Sequence, residues 1–164
     1  MGLFDAALSV STLLCALVAG FLFAFASVVM PGIQGFGDRE YLLAFTAMDR
    51  VIQRKQPIFM LVWLGSVLTL LVTVLLGLGQ LQGLDLALLI FAGAIYLFGV
   101  QLPTATINVP LNNRLQKLDM NALGDAEIRE ARVRFEGRWS KWNRVRTIFA
   151  VSTSALLVLL LLRL

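Results

Sequence analysis

The chain has 164 residues, of which 59% are hydrophobic and 15% are charged, and its formal net charge is +4. This composition is typical of a membrane protein and excludes an ordinary soluble domain. The chain has no histidine and one cysteine, Cys15. These counts exclude an intrachain disulfide, His-ligated haem and the usual zinc and copper sites, so we predict no metal or haem cofactor. A metal site built from carboxylates alone stays open, although most of the acidic residues sit beside bases.

Three long uncharged runs cover residues 6–30, 57–84 and 86–113. Each exceeds the roughly 20 residues that a helix needs to cross a bilayer. A fourth run, over residues 147–162, spans only if Arg146 and Arg163 extend their side chains to the two interfaces. We therefore predict one domain over residues 1–164 with four transmembrane helices, at about 6–30, 57–79, 85–108 and 145–163.

The basic residues are distributed unevenly along the chain. Thirteen of the fourteen Lys and Arg fall in the two connections after helices 1 and 3. The positive-inside rule puts these connections in the cytoplasm and both termini outside, and we expect a bacterial inner membrane. We expect anionic lipid headgroups as partners, and not nucleic acid, because these bases adjoin membrane spans.

Both connections carry amphipathic helical patterns. In the first, Asp38 can cap a helix whose apolar residues recur at steps of three and four from Tyr41 to Ile52. In the second, the same spacing extends from Ile128 to Arg146, and this helix can continue directly into helix 4. The predicted fold is all-α: a polytopic membrane four-helix bundle with two amphipathic helices on the cytoplasmic surface.

Polar side chains occur deep in the third span, within the stretch YLFGVQLPTATINVPLNN. Gln101, Thr104 and Asn108 share one helix face there, and Pro103 and Pro110 each remove a backbone donor. Polar groups at this depth usually face protein or a wet cavity, because lipid cannot satisfy them. Alternatively, the Asn and Pro residues simply end the helix at the headgroups.

A second set lies in RWSKWNRVR, residues 138–146. Trp139, Trp142, Asn143 and Arg146 stand at positions i, i+3, i+4 and i+7 and form one stripe. Trp and Arg at a membrane interface are most often anchors to headgroups. Asn143 fits that interpretation less well, because an amide on the inward stripe indicates a lined pocket.

The predicted topology brings these two sets to the cytoplasmic side, where one cavity mouth can hold both. Asp49, which shares a face of the first surface helix with Gln53 and Gln56, is the carboxylate best placed to reach this mouth. The alternative for Asp49 is a solvated charge beside Arg50.

Three stretches, GFLFAFASVVMPGI, NVPLNNRL and RWSKWNRVR, together resemble a four-helix integral membrane family of anthrone oxygenase-like proteins. The likeness covers nearly the whole chain. For named members of this family the resemblance implies insertion of oxygen at the activated CH2 of a tricyclic phenol, without metal or flavin. Deprotonation gives an enolate that reacts with dioxygen directly, so the protein supplies a base, donors for the oxyanion and a flat apolar slot.

The residue chemistry then suggests roles for the candidate residues. In this hypothesis Asp49 is the base, and Asn108, Asn143 and Arg146 are the donors for the oxyanion. The predicted substrate-binding residues are Gln101, Asn112, Trp139 and Trp142, of which the two Trp form the slot.

Two other functions compete with the enzyme hypothesis. The first is a non-catalytic membrane protein that binds a lipid headgroup or a quinone-like molecule in the same pocket. The second is a small transporter, which is disfavoured because no span carries a charge at mid-depth. The sequence leaves open whether the chain is catalytic, which aromatic small molecule it binds and its oligomeric state.

Overall fold

The computed structural model describes residues 2–164, and over these residues the chain forms five helices and no strand. They are α1 (Leu3–Ile33), α2 (Asp38–Gln53), α3 (Pro57–Gly77), α4 (Gly83–Gln116) and α5 (Asp125–Arg163). All except α2 are long and apolar enough to cross a membrane. The predicted all-α class is therefore confirmed, and each of the four predicted transmembrane segments lies in a helix that is long and apolar enough to span a bilayer.

Helix α4 continues past both of its prolines. The predicted span ends near residue 108, whereas the helix runs on to Gln116. Proline removes a backbone donor and crowds the preceding turn, so an unbroken α-helical ladder cannot pass through it. The helix instead contains two π-helical turns, Leu97–Gln101 and Thr104–Asn108, which absorb the disruption on either side of Pro103.

The two predicted amphipathic segments differ in their connections. The second is continuous with the fourth span, and together they form the single helix α5 of 39 residues. The first is the separate helix α2, whose N-cap is Gly37, so Asp38 lies in the first turn and does not cap the helix. Its carboxylate instead pairs with Arg132 of α5 at 3.1 Å.

The apolar face of α2 packs against protein. Tyr41, Leu42 and Phe45 are buried in a cluster that also contains Phe135 and Trp139 of α5. Burial raises the pKa of the Tyr41 phenol well above its usual range, so the hydroxyl stays neutral inside this cluster. The cluster holds α2 against the first part of α5.

The membrane helices share a second apolar cluster. Helix α1 packs along both α3 and α5, and α4 packs along α5. This cluster includes Leu8 of α1, Leu89 of α4 and Leu157 of α5, each almost wholly buried. This cluster lies in the half of the bundle next to the turn at residues 78–82, which we call the hairpin half.

Helices α4 and α5 approach each other closely at Gly99. A Cβ atom added there would lie only 2.8 Å from the Cβ of Phe149. No real side chain tolerates such a distance, so the close approach requires glycine. It brings the polar residues of α4 next to those of α5, at the other end of the bundle, which we call the cavity half.

Candidate active site

A cavity of about 220 Å³ lies in the cavity half, and all five helices contribute to its lining. Six of the lining residues are aromatic: Phe21, Phe25, Phe45, Phe59, Trp63 and Trp139. Six others are polar: Asp49, Thr104, Asn108, Asn112, Asn143 and Arg146. A mostly apolar cavity with a few converging polar groups is the usual form of a small-molecule site.

Asp49 supplies a carboxylate to this cavity. It is only 3% exposed, so it is not the solvated charge of the alternative interpretation. It accepts hydrogen bonds from three side-chain amides: Asn112 Nδ2 at 2.7 Å, Gln116 Nε2 at 2.8 Å and Gln53 Nε2 at 3.3 Å. Within residues 2–164 no Lys or Arg forms an ion pair with it. Neutral amides thus hold the carboxylate in place.

Arg146 supplies a buried cation to the same cavity. It is 4% exposed, and its Nη1 and Nη2 donate to Thr104 Oγ1 and Asn143 Oδ1, each at 2.9 Å. Its Nε is buried without a hydrogen-bond partner among the described residues. A buried charge with only neutral partners costs roughly several kcal/mol, unless an acceptor of opposite charge completes the site. The guanidinium is therefore suited to an anionic oxygen of a ligand.

Asn108 and Asn112 of α4 bond to neighbouring helices. Asn112 donates to Asp49 and accepts from Trp139 Nε1 at 2.7 Å, so it links α2, α4 and α5. Asn108 donates to the Trp139 carbonyl at 3.3 Å, while its own Oδ1 is buried without a partner in the described part of the chain. That oxygen is free to accept from a ligand hydroxyl.

Asn143 orients the guanidinium through an irregular turn of α1. Its Nδ2 donates to the Leu22 carbonyl at 3.2 Å, which leaves Oδ1 to accept from Arg146. Leu22 lies just before the π-helical turn Phe25–Val29, where the regular i to i−4 ladder is interrupted. Such turns are frequent at functional sites, and the Leu22 carbonyl here accepts from both the Phe25 N–H and Asn143.

Two groups of aromatic rings form the walls. On one side, Phe59 and Trp63 stack with ring centroids 5.5 Å apart and planes 23° apart, and Phe21 meets both edge-on. On the other, Trp139 packs against Phe45 with centroids 5.1 Å apart. The Cζ of Arg146 lies 5.9 Å from the Trp139 ring centroid. Such walls favour a flat, aromatic ligand.

The cavity brings together six of the eight sequence-predicted site residues: Asp49, Asn108, Asn112, Trp139, Asn143 and Arg146. The other two, Gln101 and Trp142, are outside the lining. Gln101 lies behind Trp63 and accepts a hydrogen bond from its Nε1 at 3.1 Å. Successive residues of α5 are about 100° apart around the helix axis. Trp142 therefore lies about 60° to one side of Trp139, whereas Asn143 lies on the other side.

Some residues of the site were not among the predicted ones. Thr104 shares the predicted face of α4 and could have been included on that ground. Gln116 follows Asn112 by one helical turn, but the prediction ended the helix at residue 108. Trp63 and Phe59 stand in an apolar span, where no sequence signal separates a cavity wall from a lipid contact.

Comparison with known protein families decides the classification. The model of the family described as Anthrone oxygenase matches residues 48–156, well over half of the chain. The chain belongs to the anthrone oxygenase family. The matched range includes every site residue predicted from the sequence. No curated protein and no solved structure matches the chain.

The polar side chains that line the cavity of this anthrone oxygenase family member are suited to binding an organic anion. Among residues 2–164 no three His, Cys, Asp or Glu side chains come together. The cavity offers a guanidinium, three side-chain amides, a hydroxyl and one carboxylate. Such groups can bind an oxyanion and take up a proton.

Proposed function

We propose that this protein is a cofactor-independent oxygenase that binds a flat phenolic, anthrone-like molecule in the cavity and oxidises it with dioxygen. The observation that carries the proposal is the buried Arg146 guanidinium, which has only neutral partners and shares a cavity with the buried Asp49 carboxylate. Membership of the anthrone oxygenase family supports the same reaction class.

The two unpartnered atoms of the cavity fit such a ligand. A phenolate or enolate oxygen accepts from Nε of Arg146, and a neighbouring phenol hydroxyl donates to Oδ1 of Asn108. Both atoms lack a partner in the described chain. Each new hydrogen bond to a charged group contributes about 1.5–3 kcal/mol. The aromatic walls then hold the ring plane.

The proposed reaction begins with proton transfer to Asp49. The activated CH2 of the substrate loses a proton to the carboxylate, and the negative charge collects on the ring oxygen next to Arg146. The carbanion carbon forms a bond to dioxygen, and the resulting peroxide takes the proton back from Asp49. Loss of the remaining C–H proton with cleavage of the O–O bond yields a carbonyl and water.

This sequence of steps balances without any further reactant. Overall, one CH2 group and one dioxygen molecule give one carbonyl group and one water molecule. The carbon gives up four electrons, which reduce both oxygen atoms, so no external reductant enters. Asp49 is regenerated as a carboxylate at the end of each cycle. The protein needs only to position the base and the oxyanion donors.

We also propose that the cavity half faces the cytoplasm, with α2 and the first part of α5 at the membrane surface among anionic headgroups and both termini outside. The exposed bases Arg114, Arg138, Lys141 and Arg144 in this half support that orientation. Labelling of single cysteines with an impermeant maleimide tests it in intact cells, since Cys15 is buried. We expect Gln82→Cys to react and Leu118→Cys to stay unlabelled; the reverse result would invert the topology.

Oxygen uptake tests the reaction. Purified protein in lipid nanodiscs is mixed with dihydroxyanthrone, and we expect one dioxygen consumed for each quinone formed. Asp49→Asn should lower turnover by about 100-fold or more, because general bases typically contribute that much. Asp119→Asn, which changes an exposed carboxylate, should leave turnover unchanged.

A binding measurement, combined with the oxygen-uptake assay, distinguishes an enzyme from a protein that only binds its ligand. Dihydroxyanthraquinone, which has no oxidisable CH2, serves as a binding probe, and Asp49→Asn should change its Kd by less than about tenfold. If the wild-type protein binds this probe and adds nothing to the background oxidation of dihydroxyanthrone, the oxygenase proposal is wrong. The protein would then be the non-catalytic ligand-binding protein of the second hypothesis.

A further inference from the structure

We propose that the cavity opens sideways into the bilayer, between the start of α3 and the second half of α4, and takes its ligand from the membrane phase. The inference rests on the proposed function and narrows its substrate class. The substrate is then an apolar ring compound dissolved in lipid, which becomes an anion only inside the cavity. A water-dissolved anion would need a different entrance.

The first observation is that α3 and α4 are in contact along only part of their length. They are joined by the turn at residues 78–82, and α3 packs against the first part of α4, Gly83–Tyr96. The second half of α4 packs mainly against α5 and α2. Pro103 and the two π-helical turns lie in this part of α4, and such features redirect a helix axis. The seam between α3 and α4 therefore widens toward the cavity.

The second observation concerns the aqueous side of the cavity, where amide side chains bond to one another. Gln53 Nε2 donates to Asn113 Oδ1 at 2.9 Å and to Asp49 Oδ2 at 3.3 Å. Gln116 Nε2 donates to the Thr46 carbonyl and to Asp49. These bonds join the end of α2 to the end of α4. A ligand that entered from water would have to break them.

The third observation is that the remaining side of the cavity is apolar. Ile52, Met60 and Val109 line it, and each retains solvent-accessible surface, with Val109 40% exposed. Two nearby residues outside the lining, Ile58 of α3 and Leu102 of α4, are also apolar and are 69% and 51% exposed. Apolar surface of this kind on a membrane helix faces lipid tails.

The hydrogen bond from Trp63 to Gln101 marks the far edge of the mouth. It is a side-chain bond that crosses from α3 to α4 at 3.1 Å, just beyond the point where the helices separate. Gln101 is thus a positioning residue that holds the indole of Trp63 against Phe59. This gives a role to a polar residue of the third span that does not line the cavity.

Ligand kinetics test the lateral mouth. Val109→Trp narrows the mouth without removing a polar group, so it should slow both association and dissociation of dihydroxyanthraquinone by about tenfold. The Kd should stay within about threefold, because a barrier at an entrance changes rates and not the bound state. The measurement is stopped-flow recording of probe fluorescence with the protein in lipid vesicles. Met60→Trp, on the opposite side of the mouth, provides a second variant if Val109→Trp does not fold.

Two control variants distinguish ligand entry from the bilayer from ligand entry from water. Val158→Trp adds the same bulk to a residue of α5 that is 45% exposed and lies outside the cavity lining, so it should change neither rate. Asn113→Trp adds bulk at the aqueous amide layer and should also have little effect. If Asn113→Trp slows the probe and Val109→Trp does not, entry is from water and the inference is wrong. Lack of oxygen uptake would overturn the reaction alone, since these rates need no turnover.

Discussion

The hairpin half and the cavity half of the bundle differ in how completely their buried polar groups are paired. In the hairpin half, hydroxyls such as Thr12 and Thr153 donate to carbonyls four residues earlier in their own helix. In the cavity half, polar side chains bond across helices, as Arg146 does to Thr104, and two buried polar atoms of the cavity lining have no partner among the described residues. The first arrangement stabilises packing, and the second keeps binding capacity for a ligand.

The largest effect is expected at Arg146. Arg146→Leu should weaken binding of dihydroxyanthraquinone by about 10- to 100-fold, because the charge-assisted bond from its Nε to the ligand, at about 1.5–3 kcal/mol, disappears. The bundle should stay folded and gain stability, since a buried charge without a counterion is removed. Equilibrium binding and thermal unfolding in detergent measure both. The control is Arg144→Leu at an exposed position; similar losses for the two variants would indicate general headgroup attraction and not a ligand site.

A substitution in the hairpin half should lower stability and leave ligand affinity almost unchanged. Leu157 is wholly buried, and Leu157→Ala should lower the free energy of unfolding by about 2 kcal/mol through lost packing. Probe affinity should change by less than about twofold, because the cavity is elsewhere. Denaturant titration and a binding isotherm check this, with Leu162→Ala, at a position 80% exposed, as the control. A matching loss of affinity in folded Leu157→Ala would mean that the two halves are coupled.

Gly99 tests the contact that brings α4 to α5. Gly99→Ala places a Cβ against Phe149, and overpacking of this kind costs about 1–3 kcal/mol. Because Phe149 follows Arg146 by one turn, the strain should move the guanidinium from Thr104 and weaken probe binding about tenfold. Gly20→Ala is the matched control, since an added Cβ there has no neighbour within 4 Å. Unchanged affinity in Gly99→Ala would show that the helices separate without moving the site.

The smallest effect is expected at the hydroxyl pair between α3 and α4 in the hairpin half. Ser66 Oγ and Tyr96 Oη lie 2.6 Å apart. Hydrogen bonds between membrane helices contribute about 0.6 kcal/mol on average, so Ser66→Ala should lower stability by about that amount and leave binding unchanged. Ser9→Ala, at an exposed hydroxyl, is the control. A loss above about 2 kcal/mol would contradict the view that polar groups of this half contribute little.

Much of the fold could be predicted because it depends on local pattern. Uncharged runs of sufficient length specify the four membrane helices, and steps of three and four along α5 put Trp139, Asn143 and Arg146 on one face. The predicted family is confirmed by the match over residues 48–156. The exact ends of helices were harder to predict, because a proline breaks a helix in one context and is absorbed by a π-helical turn in another, as at Pro103.

The composition and periodicity of this chain by themselves determined that it is a helical membrane protein and which residues share a helix face. Only the tertiary structure decided which faces meet. Trp142 and Trp63 illustrate the difference: the first stands in a conspicuous polar stretch and lies outside the cavity, while the second stands in a plain apolar run and forms its wall. The physical reason is that lipid and protein interior are equally apolar, so the sequence of a membrane helix does not distinguish a lipid-facing side chain from one that faces a cavity.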